Sequence, residues 1–256
     1  MIHKGAIIDP SCEIAESAEI AQGAFIGKNC VIGENVTVGY NAVIESNTTV
    51  GEGTKIYPNA HIGGDPQDYS FGGEDTKLII GKNCIIREFA TIHRASTKEE
   101  WKTVLGDNCF IMAYAHVAHD CILGNNVTMT SFASFAGHCH VGDFVVAGGY
   151  AACHQFVRVG MGVMLGGRVN VSKDIPPFVM AAGIPAEIEG LNIVGMKRRG
   201  VKPEARLELK KAIKILRNLN IKLADVPEKL MELEQFDEIK LFTDFLKDSK
   251  RGFTRR

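Results

Sequence analysis

Apolar residues return at every sixth position along most of the chain, in a series that stops twice and then resumes. The series comprises Ile8, Ile14, Ile20, Ile26, Ile32, Val38, Ile44, Val50, Ile56, Ile62, Ile80, Ile86, Ile92, Leu105, Ile111, Val117, Leu123, Met129, Phe135, Val141, Ala147, Cys153, Val159, Leu165 and Val171. Glycine often follows the apolar residue, and a small or β-branched residue comes four places after it, as at Ala18 and Val36. An α-helix repeats about every 3.6 residues and a single strand about every two, so neither explains this period.

A period of six predicts a short strand followed by a corner, and three such units make one triangular coil of about 18 residues. Stacked coils bury the apolar column and pair in parallel ladders about 4.8 Å apart. We therefore predict an all-β, parallel β-helical solenoid over residues 1–190, interrupted by loops near 63–79 and 97–104. Loops that leave a rigid scaffold often carry function.

The apolar spacing becomes helical from about residue 191, which predicts a C-terminal helical domain over residues 191–256. Pro203 suits the first position of one helix, and Pro227 begins another with Asp225 as a candidate cap. The predicted apolar stripes consist of Leu207, Ala212, Ile213, Ile215 and Leu216 in the first helix and Leu241, Phe242, Phe245 and Leu246 in the last. We expect these helices to cover the open end of the solenoid, where a strand edge would otherwise be unpaired.

The composition excludes several classes of protein. The chain has 256 residues, a net charge of −1, 45% hydrophobic and 23% charged residues, which is typical of globular proteins. No apolar run reaches the roughly 18 residues of a membrane-spanning helix, and the N-terminus lacks the pattern of a signal peptide. All seven cysteines fall at inward positions of the repeat and none forms a CxxC pair, which predicts buried small side chains in a cytoplasmic protein.

Charge is unevenly distributed along the chain. Residues 196–256 carry 17 Lys and Arg against 10 Asp and Glu, which leaves 12 against 20 for residues 1–195. The front is therefore −8 and the tail +7. This division is typical either of a solvated helical surface or of a site for an acidic partner.

Several histidines fall on one ridge of the predicted solenoid. Residues 18 apart share a face, so His119, His138 and His154 lie on three successive coils near one corner. His116 and His93 lie at the same edge, and the loop with Gln67 and Asp68 leaves from this face. Histidine is the usual general base near neutral pH, and Asp120 follows His119 directly, where it can orient the imidazole.

The repeat array resembles the left-handed parallel β-helix acyltransferases. Within that fold, four segments closely resemble the acyl-[acyl-carrier-protein]–UDP-N-acetylglucosamine O-acyltransferase family: Ala115-His116-Val117-Ala118-His119-Asp120-Cys121, Ala136-Gly137-His138, His154-Gln155-Phe156 and Met196-Lys197-Arg198-Arg199-Gly200. The resemblance extends over nearly the whole chain. It implies a left-handed parallel β-helix with a small C-terminal α-helical domain, and transfer of a 3-hydroxyacyl chain from acyl carrier protein to the 3-position of UDP-N-acetylglucosamine, the first step of lipid A biosynthesis.

The resemblance also implies roles for individual residues. His119 is the implied general base, and the backbone N–H of Gly137 is the implied oxyanion donor. The implied substrate-binding residues are Gln67, Asp68, His116, His138, His154, Gln155, Asn192, Arg198 and Arg199. Met164 and Gly167 are implied to lie where the acyl chain ends.

The implied assembly is a cytoplasmic homotrimer with active sites between subunits. The basic tail would meet the acidic acyl carrier protein, whose phosphopantetheine carries the acyl donor. The resemblance implies no metal, no cofactor of the chain itself, no nucleic acid and no transmembrane segment.

Two positions differ from the best-known members of that family. Ser70 stands where a lysine is usual, and Val194 where a glutamate is usual. A site without this lysine would repel a positively charged amino group less than a site that keeps it. Acylation of a 3-amino UDP-sugar is therefore a second possible reaction.

Three rival functions fit parts of the sequence pattern. A γ-type carbonic anhydrase shares the solenoid and could use His93, His116 and His119 as metal ligands, but would leave the helical tail unexplained. A non-catalytic binding solenoid would not need a ridge of histidines. The related N-acyltransferase of the same pathway typically carries an additional N-terminal domain, whereas the repeats begin here by Ile8.

Overall fold

The computed structural model describes residues 1–255, and most of them form a three-sided solenoid of short parallel strands. The first face contains β1 (Ile7–Ile8), β4 (Phe25–Ile26), β7 (Val43–Ile44), β10 (His61–Gly64), β13 (Thr91–His93), β16 (His116–Val117), β19 (Ser134–Phe135), β22 (Ala152–Cys153) and β25 (Asn170–Val171). The second face contains β2 (Glu13–Ile14), β5 (Val31–Ile32), β8 (Thr48–Val50), β11 (Lys77–Ile80), β14 (Lys102–Leu105), β17 (Ile122–Leu123), β20 (His140–Val141) and β23 (Arg158–Val159). The third face contains β3 (Glu19–Ile20), β6 (Thr37–Val38), β9 (Lys55–Ile56), β12 (Ile85–Ile86), β15 (Phe110–Ile111), β18 (Thr128–Met129), β21 (Val146–Ala147), β24 (Met164–Leu165), β26 (Val179–Ala182) and β27 (Glu187–Leu191).

The strand register confirms the stacking that the repeat predicted. On the first face Val117 pairs with Phe135, Phe135 with Cys153 and Cys153 with Val171, and each of these side chains is buried. Across the first interruption Ile62 still pairs with Ile92, and across the second Ile92 pairs with Val117. The fold is therefore the left-handed parallel β-helix that the resemblance implied, with its apolar column as the core.

From residue 22 onward, each corner of the solenoid is a tight turn whose second residue has a positive φ. In the N-terminal half this residue is usually asparagine, for example Asn29 at φ 55° and Asn41 at φ 54°. Asparagine tolerates the left-handed region better than most residues, so it suits the corner.

The two interruptions are excursions from the solenoid with bounds slightly different from those predicted. Pairing of Gly64 with His93 and of Lys77 with Lys102 extends the neighbouring strands. The first excursion therefore comprises residues 65–76 and the second residues 94–101.

The C-terminal part begins with an element that the sequence analysis missed. Strand β27 runs antiparallel to β26 and closes the third face. The helices that follow are α1 (Ile193–Arg198), α2 (Pro203–Arg217), a 3₁₀ turn (Leu223–Asp225), α3 (Val226–Leu230) and α4 (Asp237–Lys247). The predicted division of the chain after residue 190 stays a prediction.

Three details of the helix predictions were wrong. Leu207 and Leu241 are 56% and 46% exposed, because they face away from the sides of α2 and α4 that bury Leu209 and Phe242. Asp225 precedes α3 but its side chain makes no capping hydrogen bond, since its backbone is already helical.

Six of the seven cysteines are buried, Cys12 is partly buried, and none forms a disulfide within the described part of the chain. Among residues 1–255, no helix combines the length and apolarity needed to cross a membrane.

Candidate active site

Three corners run along the solenoid, and each has its own chemistry. The histidine corner, between the first and second faces, consists of turns at residues 119–120, 137–138 and 155–156. The arginine corner, between the second and third faces, consists of turns at 143–144 and 161–162 with Arg199 against them. The aromatic corner, between the third and first faces, includes Tyr114, Phe132 and Tyr150.

The histidine corner contains an imidazole–carboxylate pair. His119 and Asp120 occupy one tight turn, with Asp120 at φ 59°, and His119 Nδ1 lies 2.8 Å from Asp120 Oδ2. Asp120 is 1% exposed and its N–H donates to Thr103 Oγ1 over 2.8 Å. Burial raises the pKa of the Asp120 carboxyl, but hydrogen bonds from His119 and Ser96 outweigh it and hold the pKa below its ordinary value. An ionised carboxylate only accepts, so Nδ1 carries the proton and Nε2 of a neutral His119 is free to act as a base.

Glycine at position 137 leaves room for the His119 ring. A Cβ placed on Gly137 would lie 2.6 Å from His119 Cε1 and 2.8 Å from Nε2, far inside ordinary contact. The imidazole therefore packs on the backbone of the next coil. Within residues 1–255, the Gly137 N–H donates to no backbone acceptor, so a donor remains available beside His119.

His138 lies next to this pair on the following coil. Its ring is 4% exposed, meets His119 edge to face at 5.2 Å between centroids and stacks on Phe156 at 4.3 Å. Its Nε2 lies 3.8 Å from Asp120 Oδ2 and its Nδ1 lies 3.4 Å from Glu99 Oε1. His119 and His138, both predicted site residues, thus lie in one largely buried cluster with Asp120.

His116 and His93 form a second pair beside the first. Their ring centroids are 4.9 Å apart, and His116 Nδ1 lies 2.7 Å from Thr91 Oγ1. Burial, together with the charge of His119, lowers the pKa of His116. Burial and then the charge of His116 lower the pKa of His93 to about 4.

The first excursion brings Asp68 near the second excursion, with Gln67 exposed beside it. Asp68 Oδ1 accepts from Ser70 N and Oγ over 2.9 and 2.8 Å, and Oδ2 lies 2.5 Å from Lys98 Nζ. The Lys98 hydrogen bond is the main reason that the pKa of Asp68 is lowered. The sequence allowed the 3-amino reaction because Ser70 replaces the usual lysine and would leave this position without a cation. Lys98 places a cation at the Asp68 carboxylate, so that reason does not hold.

His154 and Gln155 lie on the third coil of the histidine corner, and both are exposed. His154 Nδ1 lies 3.1 Å from the Gln155 carbonyl oxygen. Arg251, from the C-terminal tail, donates to that carbonyl oxygen and lies 3.4 Å from His154 Nδ1. Arg251 could not be predicted as a site residue, because no local sequence pattern indicates that the C-terminal tail reaches the histidine corner.

The remaining predicted residues lie away from the histidine corner of the same chain. Asn192 caps α1, with Oδ1 accepting from Gly195 N over 2.9 Å and Nδ2 donating to Gly162 O over 2.9 Å. This cap holds Arg198 and Arg199 at the arginine corner, where they line a pocket of about 500 Å³. Burial lowers the pKa of the Arg199 guanidinium, and its Nη2 is buried without a partner among the described residues.

The predicted chain-length residues lie on the third face and at its edge. Met164 is in β24, and Gly167 begins the turn of the aromatic corner after it. A Cβ on Gly167 would meet only Gly149 O, at 3.5 Å. A side chain there would project from the surface without disturbing its own chain.

The carbonic anhydrase function required ligand atoms of His93, His116 and His119 to converge. Among residues 1–255 the group whose possible ligand atoms lie within 4.8 Å of one another is instead His119, Asp120 and His138. In that group the Asp120 oxygen facing His119 already accepts two hydrogen bonds from Ser96. This arrangement is typical of a hydrogen-bonded base rather than of the three-histidine site.

Known proteins match this chain along its whole length. The family described as UDP N-acetylglucosamine O-acyltransferase, domain 2, matches residues 174–254, and the bacterial transferase hexapeptide family matches residues 29–64 and 102–137. The acyl-[acyl-carrier-protein]–UDP-N-acetylglucosamine O-acyltransferase of Thermodesulfovibrio yellowstonii is 45% identical over 255 residues, or 99% of each chain. That of Aquifex aeolicus is 53% identical over 201 residues, covering 78% of this chain and 77% of its own. The chain belongs to the UDP-N-acetylglucosamine O-acyltransferase family.

Solved structures agree with membership of the O-acyltransferase family. The UDP-N-acetylglucosamine acyltransferase of Campylobacter jejuni is 39% identical, with a TM-score of 0.94 and full coverage of both chains. The O-acyltransferase of Moraxella catarrhalis is 36% identical, with a TM-score of 0.95 and 99% coverage of both. The similarity therefore extends to the helical tail as well as to the solenoid.

Several residues that contact the site of this O-acyltransferase family member follow no sequence pattern that would have predicted them. Ser96, Lys98 and Glu99 lie in the second excursion, outside the six-residue period, and Thr103 lies in β14, which follows it. The interruption itself marked the segment, but no pattern indicated which of its side chains point inward.

Proposed function

We propose that this protein transfers a 3-hydroxyacyl chain from acyl carrier protein to the 3-hydroxyl of UDP-N-acetylglucosamine, the first step of lipid A biosynthesis. The observation that carries the proposal is the His119–Asp120 pair, with Nε2 free beside the Gly137 N–H, in a member of this O-acyltransferase family. A base and an oxyanion donor on adjacent coils are the two groups that acyl transfer to a hydroxyl requires.

His119 acts as the general base. Its Nε2 accepts the proton of the sugar hydroxyl while the hydroxyl oxygen forms a bond to the thioester carbonyl carbon. Asp120 keeps the proton on Nδ1 and stabilises the imidazolium that forms. When the carbon–sulfur bond breaks, the imidazolium returns its proton to the departing thiolate of the phosphopantetheine.

Gly137 stabilises the negative charge that develops on the carbonyl oxygen. Its N–H donates to no backbone acceptor in residues 1–255 and is therefore available to this oxygen. His138, Asp68 and Gln67 position the sugar, with His116, His154 and Gln155 at the edge of the same corner. The chemistry needs no metal and no cofactor of the protein's own, since the donor brings its phosphopantetheine.

The nucleotide binds at the arginine corner of a neighbouring copy. Arg198 and Arg199 lie at a different corner from His119, so the two groups of one chain cannot line one pocket. A threefold assembly places the histidine corner of one copy against the arginine corner of the next. Arg199 Nη2, which has no partner in residues 1–255, is then available to the diphosphate, which the planar guanidinium suits.

The aromatic corner supports the proposed homotrimer. Phe89, Tyr114, Phe132 and Tyr150 stack in a ladder with centroids 4.8–5.0 Å apart, and each ring is 43–57% exposed. The first and third faces meet at this corner, so it faces the threefold axis when those two faces contact the two neighbours. A ladder of aromatic rings that is exposed in the single chain is typical of a surface that a partner covers.

The remaining parts of the proposal concern partner and location. The basic tail, with charge +7 over residues 196–256, suits the acidic acyl carrier protein. Seven free thiols suit a reducing compartment, which supports a cytoplasmic location.

An acyl-transfer assay with defined 3-hydroxyacyl carrier proteins tests the function. We expect acylation of UDP-N-acetylglucosamine that chelators do not affect, and a kcat about 10²–10⁴ lower for His119→Ala. His3→Ala, which changes an exposed histidine in the first coil, serves as the control and should keep most of its activity. Turnover of only the 3-amino sugar, or a near-normal kcat for His119→Ala, would contradict the proposal.

A further inference from the structure

The second excursion, residues 94–101, leaves the solenoid after β13 and returns to it at β14, directly beside the histidine corner. Three of its residues contact three different side chains of the candidate site. Ser96 meets Asp120, Lys98 meets Asp68 and Glu99 meets His138. The segment therefore touches the base pair and the acceptor-binding residues at the same time.

Ser96 controls the carboxylate that orients the base. It is 2% exposed, and its N–H and Oγ–H both donate to Asp120 Oδ2, over 3.0 and 2.7 Å. This oxygen also accepts from His119 Nδ1 over 2.8 Å. Three donors converging on one oxygen fix the position of that oxygen, and through its hydrogen bond with Nδ1 the direction of the His119 imidazole.

Lys98 and Glu99 reach the residues around the base. Lys98 Nζ lies 2.5 Å from Asp68 Oδ2 and ties the second excursion to the first. Glu99 Oε1 lies 3.4 Å from His138 Nδ1, and its Oε2 lies 3.6 Å from His140 Nε2. The next residue behaves differently, because Glu100 pairs at 2.9 Å with Lys102 at the start of β14.

We propose that the second excursion is a positioning clamp for the active site. Ser96 is its central positioning residue and acts through Asp120 on His119, while Lys98 holds Asp68 and Glu99 places a carboxylate 3.4 Å from His138 Nδ1. The proposal rests on the proposed function for its catalytic consequence, but the orientation of His119 by Ser96 is independent of the substrate.

Ser96→Ala removes one of the two Ser96 donors and leaves the backbone N–H in place. We expect kcat to fall about 10- to 100-fold with little change in KM, because a small misplacement of a catalytic group costs that much. Ser96→Thr keeps the hydroxyl and should restore most of the rate. Glu99→Gln should instead raise the KM for the sugar nucleotide.

Nuclear magnetic resonance of ¹⁵N-histidine-labelled protein provides a readout that does not need activity. We expect wild-type His119 to be protonated at Nδ1 when neutral, and Ser96→Ala to keep this tautomer but shift the His119 ¹⁵N resonances, because Asp120 Oδ2 loses one of its three donors. If the proposed reaction is wrong, this difference should still appear, so the two failures can be told apart.

Glu100→Gln is the matched control, since it removes a charge from the same segment without touching the site. It should leave kcat, KM and the histidine spectrum unchanged. The clamp would be disproved by a Ser96→Ala protein with wild-type kcat and wild-type His119 resonances, or by a Glu100→Gln protein with the same loss as Ser96→Ala.

Discussion

One oxygen atom, Oδ2 of Asp120, connects the buried polar groups at the histidine corner. It accepts one hydrogen bond from His119 and two from Ser96. Because Asp120 is buried, solvent cannot readily replace a lost donor. Losing a partner of a buried charge is costly, which keeps the imidazole in one orientation. At the scale of single residues, the site depends on this fixed orientation and on the space at Gly137.

Gly137→Ala tests the space that the imidazole occupies. The added Cβ would lie 2.6 Å from His119 Cε1, so the ring must move. We expect kcat to fall at least about 100-fold, comparable with loss of the base. Gly149→Ala adds the same methyl at the same position of another turn, where the nearest atom is 3.6 Å away and no imidazole is displaced, and should lower kcat far less. Equal activities in steady-state assays of the two variants would contradict this arrangement.

Stability should depend on His93 below neutral pH. Burial, then the charges of His116, His119 and His61, lower its pKa from 6.5 to about 4 in the folded protein. As the pH falls, His93 therefore takes up a proton in the unfolded chain before it does so in the folded protein. The contribution of neutral His93 to stability is fully present above pH 6.5 and is lost as the pH falls towards 4.

Urea unfolding between pH 7.5 and 5 measures this effect. As the pH is lowered from 7.5 to 5, the free energy of unfolding should decrease in the wild type and decrease less steeply in His93→Gln. His3→Gln, which changes an exposed histidine, should keep the wild-type slope. Identical slopes for all three proteins would show that His93 does not remain neutral on folding.

At the scale of elements, the repeat determines where side chains stand but not what they contact. The six-residue period predicted the strand columns, because burial enforces one apolar residue per strand. It also aligned His119 with Gly137, since residues 18 apart stack. The period could not predict the contacts of Ser96 or Lys98, because an excursion has no register with the coils.

The second turn position carries information that becomes clear only with the structure. Asn29 and Asn41 stand there in the N-terminal half, where only the left-handed backbone matters. At the histidine corner Asp120, His138 and Phe156 take the same position, with φ between 59° and 64°. Phe156 is less suited to this backbone than asparagine, and its ring stacks on His138, so here the turn position is kept for a contact.

Gly167, which begins the turn after β24, should set the length of the acyl chain by the room that it leaves. A Cβ would meet only Gly149 O at 3.5 Å, so a longer side chain should extend from the surface without disturbing the fold. We expect Gly167→Met to favour shorter 3-hydroxyacyl chains in competition assays, and Gly167→Ala to shift the preference less. Unchanged chain selectivity in Gly167→Met would contradict this role.

At the scale of the whole molecule, the three corners divide the proposed chemistry. The histidine corner holds the base, the arginine corner holds two cations away from that base, and the aromatic corner exposes stacked rings. Each copy would thus contribute one half of two different sites. This division could not be seen in the sequence, where Arg199 follows the histidines in a single linear order of candidates.

Mixing two inactive proteins measures whether the halves of a site come from different copies. His119→Ala lacks the base, and Arg199→Ala lacks the nucleotide cation, so each should turn over poorly at low UDP-N-acetylglucosamine. If random mixed trimers form, about a quarter of all sites combine an intact His119 corner with an intact Arg199 corner from the next copy.

We expect acyl-transfer activity to rise towards that fraction of the wild type after the two proteins are unfolded and refolded together. A double variant, His119→Ala with Arg199→Ala, mixed with either single variant should give no rise. Mixed trimers that native mass spectrometry detects but that remain as inactive as their parents would contradict an active site shared between copies.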